Sequence, residues 1–149
     1  MGKFFIALWL LAFGACSDGE TFTGEQDLKL ARAGGGEVVF KVKVARSPEE
    51  LAKGLMYYKN MPLLHGMLFD FGSERPVKMW MKNTFMPLDM LFFDGGGTLI
   101  YMEKHAVPHT LDPRGPNSDS VRYVLELKAG AGDRLGLQIG DRLMIEGRL

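Results

Sequence analysis

Three charged side chains in this sequence, Lys82, Asp89 and Glu126, are of the types that perform acid/base chemistry or bind a polar ligand. Lys82 is followed directly by Asn83 and Thr84, inside the otherwise apolar run MWMKNTFMPLDMLFF. One cation and two carboxylates on neighbouring strands would be the minimum for such a site. The sequence therefore offers Lys82, Asp89 and Glu126 as candidate catalytic residues, and Lys82, Asn83, Thr84 and Asp89 as candidate binding residues.

The same polar residues also suit a purely structural role in a turn. Asn and Thr side chains satisfy nearby backbone groups, and Pro87 fixes the backbone before the next strand, so NTFMP predicts a five-residue hairpin connection. Asp89 would then accept hydrogen bonds from the turn amides or pair with Lys82. Because buried polar groups in tight turns are usually satisfied locally, the pattern favours this interpretation.

Met79 and Met81 are the candidates for a metal site. Two residues apart on a strand, their thioethers point the same way, and soft sulfur ligands suit Cu(I). Trp80 projects to the opposite face, however, and methionine is an adaptable core residue. We therefore predict no metal site and no cofactor, with Cu(I) binding as a minor alternative.

The composition argues against several classes of protein. Lys+Arg and Asp+Glu both number 18 among 149 residues, so no excess of positive charge indicates a nucleic-acid partner. No G-x-S-x-G nucleophile motif occurs, and the glycine runs at 34–36 and 95–97 lack the Lys and Ser/Thr of a P-loop. The length suits one domain with a substantial core.

Short alternating segments predict a mostly β domain over residues 27–149. Alternation on both sides of the glycines at 34–36 predicts two antiparallel strands, and SPEE predicts a short helix capped by Ser47 and Glu50. Six further segments have the composition of strands: 66–71, 77–83, 88–94, 98–105, 121–127 and 141–147. The pattern predicts a single-domain antiparallel β-sandwich or barrel with one or two short helices, in which Trp80 is buried.

The N-terminus has the features of an export signal. Residues 1–15 contain one basic residue and an apolar run that is too short to span a bilayer, and Cys16 follows two small residues. This segment resembles a bacterial lipoprotein signal, which implies cleavage before Cys16 and lipid on that residue. Residues 16–26 then predict a polar tether to the domain, with anchoring to the periplasmic side of the envelope. An uncleaved N-terminal stretch with an incidental cysteine is the alternative.

Several motifs occur in the order and at the spacing of the domain of unknown function 192 family. They are GLM at 54–56, GMLFDF at 66–71, WMKNTFMPLDMLFF at 80–93, YVLEL at 123–127 and LGLQIGD at 135–141. The chain therefore resembles that family over roughly residues 27–147, which implies a small, mostly β domain with no assigned reaction, ligand or cofactor. The family signature falls on Met56, Met67, Trp80, Met81, Lys82, Asn83, Thr84, Pro87, Leu88, Asp89 and Glu126.

Two classes of function remain open from the sequence. The first is an envelope lipoprotein that binds a small molecule, a glycan or a protein, or acts as an accessory to one. The second is a small enzyme with Lys82, Asp89 and Glu126 as acid/base groups. The lack of a recognisable nucleophile or metal motif favours the first.

The predicted anchor leads to a direct test. Replacing Cys16 by Ser should leave the domain folded but move it from the membrane fraction to the soluble fraction, because stable anchoring needs more than one acyl chain or similar signal. Fractionation followed by a salt wash measures this. A Cys16→Ser protein that still sediments with membranes would contradict the lipoprotein interpretation.

Overall fold

The computed structural model describes residues 20–145, so the predicted signal at 1–15 and Cys16 lie outside the described residues. The elements are β1 (Gln26–Ala31), β2 (Glu37–Ala45), α1 (Pro48–Lys53), β3 (His65–Arg75), β4 (Leu88–Phe93), β5 (Leu99–Ala106), β6 (Val121–Lys128), α2 (Ala131–Arg134) and β7 (Arg142–Met144). The prediction of a mostly β single domain with two short helices is confirmed.

One seven-stranded sheet, in the order β5-β4-β6-β3-β2-β1-β7, forms the domain. Its pairs are antiparallel except for β2 and β3, which run parallel, so the expectation of a wholly antiparallel sheet is corrected at that pair. The sheet curls into a half-barrel. Its two outer strands meet near Thr98 and Arg142, where Leu99 N–H donates to the carbonyl of Asp141 at 2.7 Å.

The predicted glycine turn and helix cap are both confirmed. Gly35 and Gly36 adopt φ of 95° and 80° between β1 and β2, a backbone conformation that glycine favours. At α1, Ser47 Oγ accepts from Glu50 N–H at 3.2 Å, and the Glu50 carboxylate accepts from Ser47 N–H at 3.0 Å. This reciprocal pair satisfies two of the donors at the start of the helix.

Apolar side chains pack on both faces of the sheet. All seven strands contribute to the inner core, which fills the curl and includes Leu28, Phe40, Leu68, Leu91, Leu99, Leu125 and Leu143. The outer core lies on the other face of β3, β4 and β6, and is covered by segments 55–61 and 77–86. Because side chains alternate along a strand, consecutive residues of β6 belong to different cores.

Segment 77–83 is not the strand that the sequence predicts. Its backbone pairs outside the sheet: Met79 exchanges two 2.8 Å hydrogen bonds with Arg114, and Met81 N–H donates to the carbonyl of Thr110 at 3.0 Å. β4 pairs with β5 and β6, so NTFMP does not join a hairpin. The apolar alternation is real, but it records packing on the outer core rather than pairing with β4.

Trp80 corrects a second expectation, because 48% of the residue is exposed. Met81 beside it is fully buried in the outer core. Segment 77–83 lies over the sheet as an outermost layer, so only one of its two faces has protein beneath it. The alternation correctly separated Trp80 from Met81, but it did not reveal that the Trp80 side faces solvent.

An ion pair attaches the outer layer to the sheet. The Arg114 guanidinium lies 2.8 Å from the Glu103 carboxylate on β5, and both side chains are mostly buried. Glu103 also accepts a 2.9 Å hydrogen bond from the Tyr101 hydroxyl. Arg114 thus links β5, through its side chain, to Met79, through its backbone.

Part of the predicted tether is packed onto the domain. Phe22 is fully buried, its N–H donates to the carbonyl of Asn60 at 2.8 Å, and its ring meets Tyr58 edge-on at 5.1 Å. Gly24 N–H donates to His65 Nδ1 at 2.9 Å. Phe22 and Gly24 of the predicted tether therefore both contact the domain. Within residues 20–145, no helix is long and apolar enough to cross a membrane.

Candidate functional site

A small cleft lies where the end of α1, segment 79–84 and β6 meet. Its volume of about 20 Å³ is room for one water-sized group. The side chains that line it include Lys53, Met56, Phe69, Met79, Trp80, Lys82, Thr84 and Glu126. The cleft therefore brings together three of the predicted polar residues, Lys82, Thr84 and Glu126.

Glu126 is the buried polar group of this cleft. It lies on β6 with Met67 of β3 and Met90 of β4 as its register partners, and only 3% of it is exposed. No hydrogen bond or ion pair joins its carboxyl group to another side chain or amide of residues 20–145. Burial raises its pKa to about 8. At neutral pH the group is therefore mostly a neutral carboxylic acid, which can donate a hydrogen bond.

Two lysines supply the positive charge of the cleft. Lys82 is exposed, and its ammonium lies 5.2 Å from the centre of the Trp80 ring, a cation–π contact. Neither Lys82 nor Lys53 has a carboxylate within 4.0 Å of its ammonium in the part of the chain that the structure describes. The rim of the cleft is therefore cationic, above a floor that is neutral at pH 7.

Thr84 and Asn83 fasten the backbone near the cleft. The buried Thr84 hydroxyl donates to the carbonyl of Lys82 at 3.2 Å. Asn83 Nδ2 donates to the Tyr57 hydroxyl at 3.1 Å, and Tyr57 N–H donates to the carbonyl of Asn83 at 2.9 Å. Both residues therefore make fastening contacts. Thr84 bonds within segment 79–84, whereas Asn83 joins that segment to the loop after α1 rather than closing a hairpin.

Backbone strain is concentrated beside the cleft. Of the four non-glycine residues with positive φ between residues 20 and 145, three lie here: Tyr57 at 71°, Asn83 at 53° and His109 at 63°. Such conformations are unfavourable for most side chains, and they occur most often at functional sites. Nothing in the local sequence predicts positive φ at Tyr57, because a tyrosine rarely adopts this conformation.

An aromatic rim, formed by Tyr57, Trp80 and Phe85, is exposed around these strained residues. The rings of Tyr57 and Phe85 are 6.5 Å apart, and Phe85 meets His109 edge-on at 4.8 Å. All three rim residues are between 44% and 58% exposed. Exposed aromatic side chains of this kind mark surfaces that bind a ligand or a partner.

Asp89 lies away from the cleft. It is fully buried and accepts hydrogen bonds from His105 N–H at 3.0 Å and Gly132 N–H at 2.9 Å. Its neighbour Met90 lies on the Glu126 side of the sheet, so Asp89 points to the other side. The predicted acid/base trio is therefore not assembled, since Lys82 and Glu126 share the cleft and Asp89 does not.

The thioethers of the predicted copper pair are in different surroundings. Met79 is partly buried and lines the cleft, whereas Met81 is fully buried in the outer core. Within residues 20–145, no three side chains of the types His, Cys, Asp and Glu are grouped as a metal site would require. Met81 accordingly packs as a core residue.

A larger groove of about 350 Å³ lies beside α1, and apart from Lys53, which lines both sites, its charged side chains already have partners. Lys43 is 3.6 Å from Glu25, Arg46 is 3.8 Å from Asp70, and Glu50 caps the helix. The small cleft differs because its carboxyl group and its lysines lack such partners. We therefore take the small cleft as the candidate site.

Comparisons with known proteins agree with the sequence motifs. Residues 30–145 match the domain of unknown function 192 family, whose description is "Uncharacterized ACR". A protein of Sinorhizobium meliloti 1021, provisionally named a transcription regulator, is 46% identical, with a TM-score of 0.77 over 84% of this chain and 96% of that one. A protein of unknown function from Novosphingobium aromaticivorans DSM 12444 is 29% identical, with a TM-score of 0.74 over 80% and 84% of the two chains. No curated protein matches.

The contacts of Asp89 predict a structural role. Asp89→Ala should lower the free energy of unfolding by about 1 to 3 kcal/mol, because two backbone N–H groups lose their acceptor. Asp89→Asn keeps one side-chain oxygen and should lose less. Equilibrium denaturation measures both variants, and unchanged stability in Asp89→Ala would contradict this role.

The burial of Glu126 predicts that stability depends on pH. Its pKa is about 8 in the fold, above the ordinary 4.5, so the folded state binds more protons between these values. Stability should therefore fall as pH rises from about 4.5 to about 8, by at most about 1.4 kcal/mol per unit, and this contribution should level off above 8. Denaturation at several pH values measures the slope.

Glu126→Gln is the matched control for this measurement, because it cannot titrate. The variant should have a flatter profile than the native protein over the same pH range. Equal slopes in the two proteins would show that the carboxyl group ionises normally in the fold.

Proposed function

The chain belongs to the domain of unknown function 192 family, and we propose that it is an envelope-anchored binding protein whose ligand enters the cleft above Glu126. Lipid on Cys16 would hold the domain at the membrane, as the lipoprotein-like N-terminus suggests. The cleft and the aromatic rim would then form the surface that meets the ligand.

A single observation carries the proposal: Glu126 is 97% buried without a partner in the described part of the chain. Burying a carboxyl group costs free energy, and the raised pKa of Glu126 reflects that cost, although its oxygens still reach the cleft. A methionine or leucine would fill the same space on β6 without that cost. A carboxyl group at this position is best explained by a ligand that supplies the missing partner.

The surroundings of Glu126 support binding more than catalysis. Trp80, Tyr57 and Phe85 offer exposed ring faces, which suit the apolar side of a ligand. An enzyme that uses Lys82, Asp89 and Glu126 has less support, because Asp89 is occupied by two backbone amides on the other side of the sheet.

The name of the Sinorhizobium meliloti relative gives a different suggestion, namely transcription regulation. Helices that read DNA bases lie in the major groove and need several turns to do so. In residues 20–145, α1 has six residues and α2 has four. We therefore do not extend that name to this chain.

Fluorescence of Trp80 offers a test, since the indole lines the cleft and the sequence has only one other tryptophan, Trp9. The protein is the full-length chain in detergent, with Trp9→Phe so that Trp80 is the one fluorescent tryptophan. A ligand should change its fluorescence and raise the melting temperature. Soluble cell-wall fragments, amino acids, Cu(I) and Zn²⁺ form the panel. Ligand at 100 times its Kd should stabilise the fold by about 2.7 kcal/mol.

Glu126→Leu is the variant that separates binding from folding. It should lose the ligand response while folding as stably as the native protein or more so, because an unpartnered carboxyl group has been replaced by an apolar side chain. Glu37→Gln, an exposed change at the start of β2, is the control and should keep the response. A panel without any response, or full binding by Glu126→Leu, would overturn the proposal.

A further inference from the structure

We propose that the group recognised in the cleft is a carboxylate, which accepts a hydrogen bond from the Glu126 carboxyl group and is attracted by the Lys82 and Lys53 ammonium groups. This inference rests on the proposed binding function and adds the class of ligand. It follows from the charges, the donors and the size of the cleft.

The charges of the cleft select an anion. Its ionisable side chains are Lys53, Lys82 and Glu126, and the carboxyl group is the one that burial keeps neutral. The two lysines have no carboxylate partner within 4.0 Å among residues 20–145. A cationic ligand would be repelled by these two exposed ammonium groups, whereas an anion would be attracted by them.

The hydrogen-bond donors of the cleft favour a ligand that accepts a hydrogen bond. A neutral Glu126 presents an O–H group, and the Thr84 hydroxyl already donates its hydrogen to the carbonyl of Lys82. The floor therefore has one hydrogen to donate. Hydrogen bonds from an O–H group to an ionised oxygen are short and about twice as strong as neutral ones.

The size of the cleft favours a carboxylate over a phosphate. Because the cleft has a volume of about 20 Å³, it admits one oxygen atom, and the remainder of the ligand stays outside. A phosphate would present several oxygens to a cleft with one hydrogen-bond donor. A flat carboxylate needs only one donor there, and its second oxygen can point toward the lysines. The body of the ligand would lie on the exposed Trp80 ring.

Two sources of such a carboxylate fit this description: the C-terminus of a peptide, and an acidic sugar of the cell wall. Matched pairs of compounds distinguish them. N-acetyl-alanyl-alanine is compared with its C-terminal amide, and N-acetylmuramic acid is compared with N-acetylglucosamine, which lacks the carboxylate. The Kd of each compound is measured from Trp80 fluorescence, using the full-length Trp9→Phe protein in detergent.

In at least one pair, the acid should bind about tenfold or more tightly than its uncharged counterpart. Lys82→Gln should weaken binding of the acid severalfold and bring the two members of the pair closer together. Lys29→Gln removes an exposed lysine from β1, away from the cleft, and should leave the Kd unchanged. Thermal melting of every variant shows that it is folded.

Binding should also depend on pH through Glu126. The charged side chains that line the cleft with it are Lys53 from α1 and Lys82 from segment 79–84. Lys128 lies two residues along β6, and the strand neighbours Met67 and Met90 are uncharged. Because the ionised form repels a carboxylate, affinity should fall about tenfold between pH 6.5 and pH 9. Glu126→Gln keeps a neutral donor and should bind at both pH values.

The outcomes separate this inference from the proposed function. Amides or neutral sugars that bind as tightly as the acids, with the response still lost in Glu126→Leu, would overturn the carboxylate assignment and leave the binding function standing. If the Kd of the acids changes neither in Lys82→Gln nor with pH, the carboxylate binds elsewhere and the assignment is overturned. If neither the matched pairs nor the wider panel of compounds binds, both the carboxylate assignment and the proposed binding function are overturned.

Discussion

The ion pair between Arg114 and Glu103 holds the outer layer of this protein in place. Its atoms are 2.8 Å apart and mostly shielded from water, so its attraction is screened less than that of a surface pair. Through the backbone of Arg114 it fixes Met79, and segment 79–84 then covers β6. Without that cover Glu126 would face water, its pKa would be ordinary and the cleft would not exist.

The cleft is thus assembled from parts of the chain that are far apart in sequence. Tyr57 and Asn83 exchange two hydrogen bonds across its edge, and each adopts a strained backbone conformation to do so. Strain at both residues, together with an unpartnered buried carboxyl group, lowers stability at one place on an otherwise well-packed sheet. Natural proteins retain such local costs chiefly where function requires them.

Local signals in the sequence were sufficient for local structure. The spacing of Ser47 and Glu50 predicted the capped helix, and the glycines at 34–36 predicted the turn, because both depend on contacts within a few residues. The family motif also identified Lys82, Thr84 and Glu126 before the structure placed them in one cleft.

Features that depend on distant contacts were missed or misread. The alternation of apolar and polar side chains in residues 77–81 is the same whether the segment pairs within the sheet or lies over it. The sequence pattern therefore could not predict that Trp80 is exposed. Asp89 and Glu126 both have the chemistry of an acid/base residue, but their faces of the sheet differ, and this depends on strand register. The N–H groups that donate to Asp89, on His105 and Gly132, are 16 and 43 residues away in sequence.

The burial of Phe22 has a consequence for where this domain can work. If lipid is attached at Cys16, only residues 17–21 lie between the anchor and the Phe22 side chain that is fixed in the fold. Even fully extended, the chain from Cys16 to Phe22 spans about 20 Å. Phe22 packs on Tyr58, which lines the larger groove beside α1, so the chain from the anchor reaches the domain next to that groove. Such a protein would stay at the membrane surface, and it could bind only a ligand that comes within a few nanometres of the lipid headgroups.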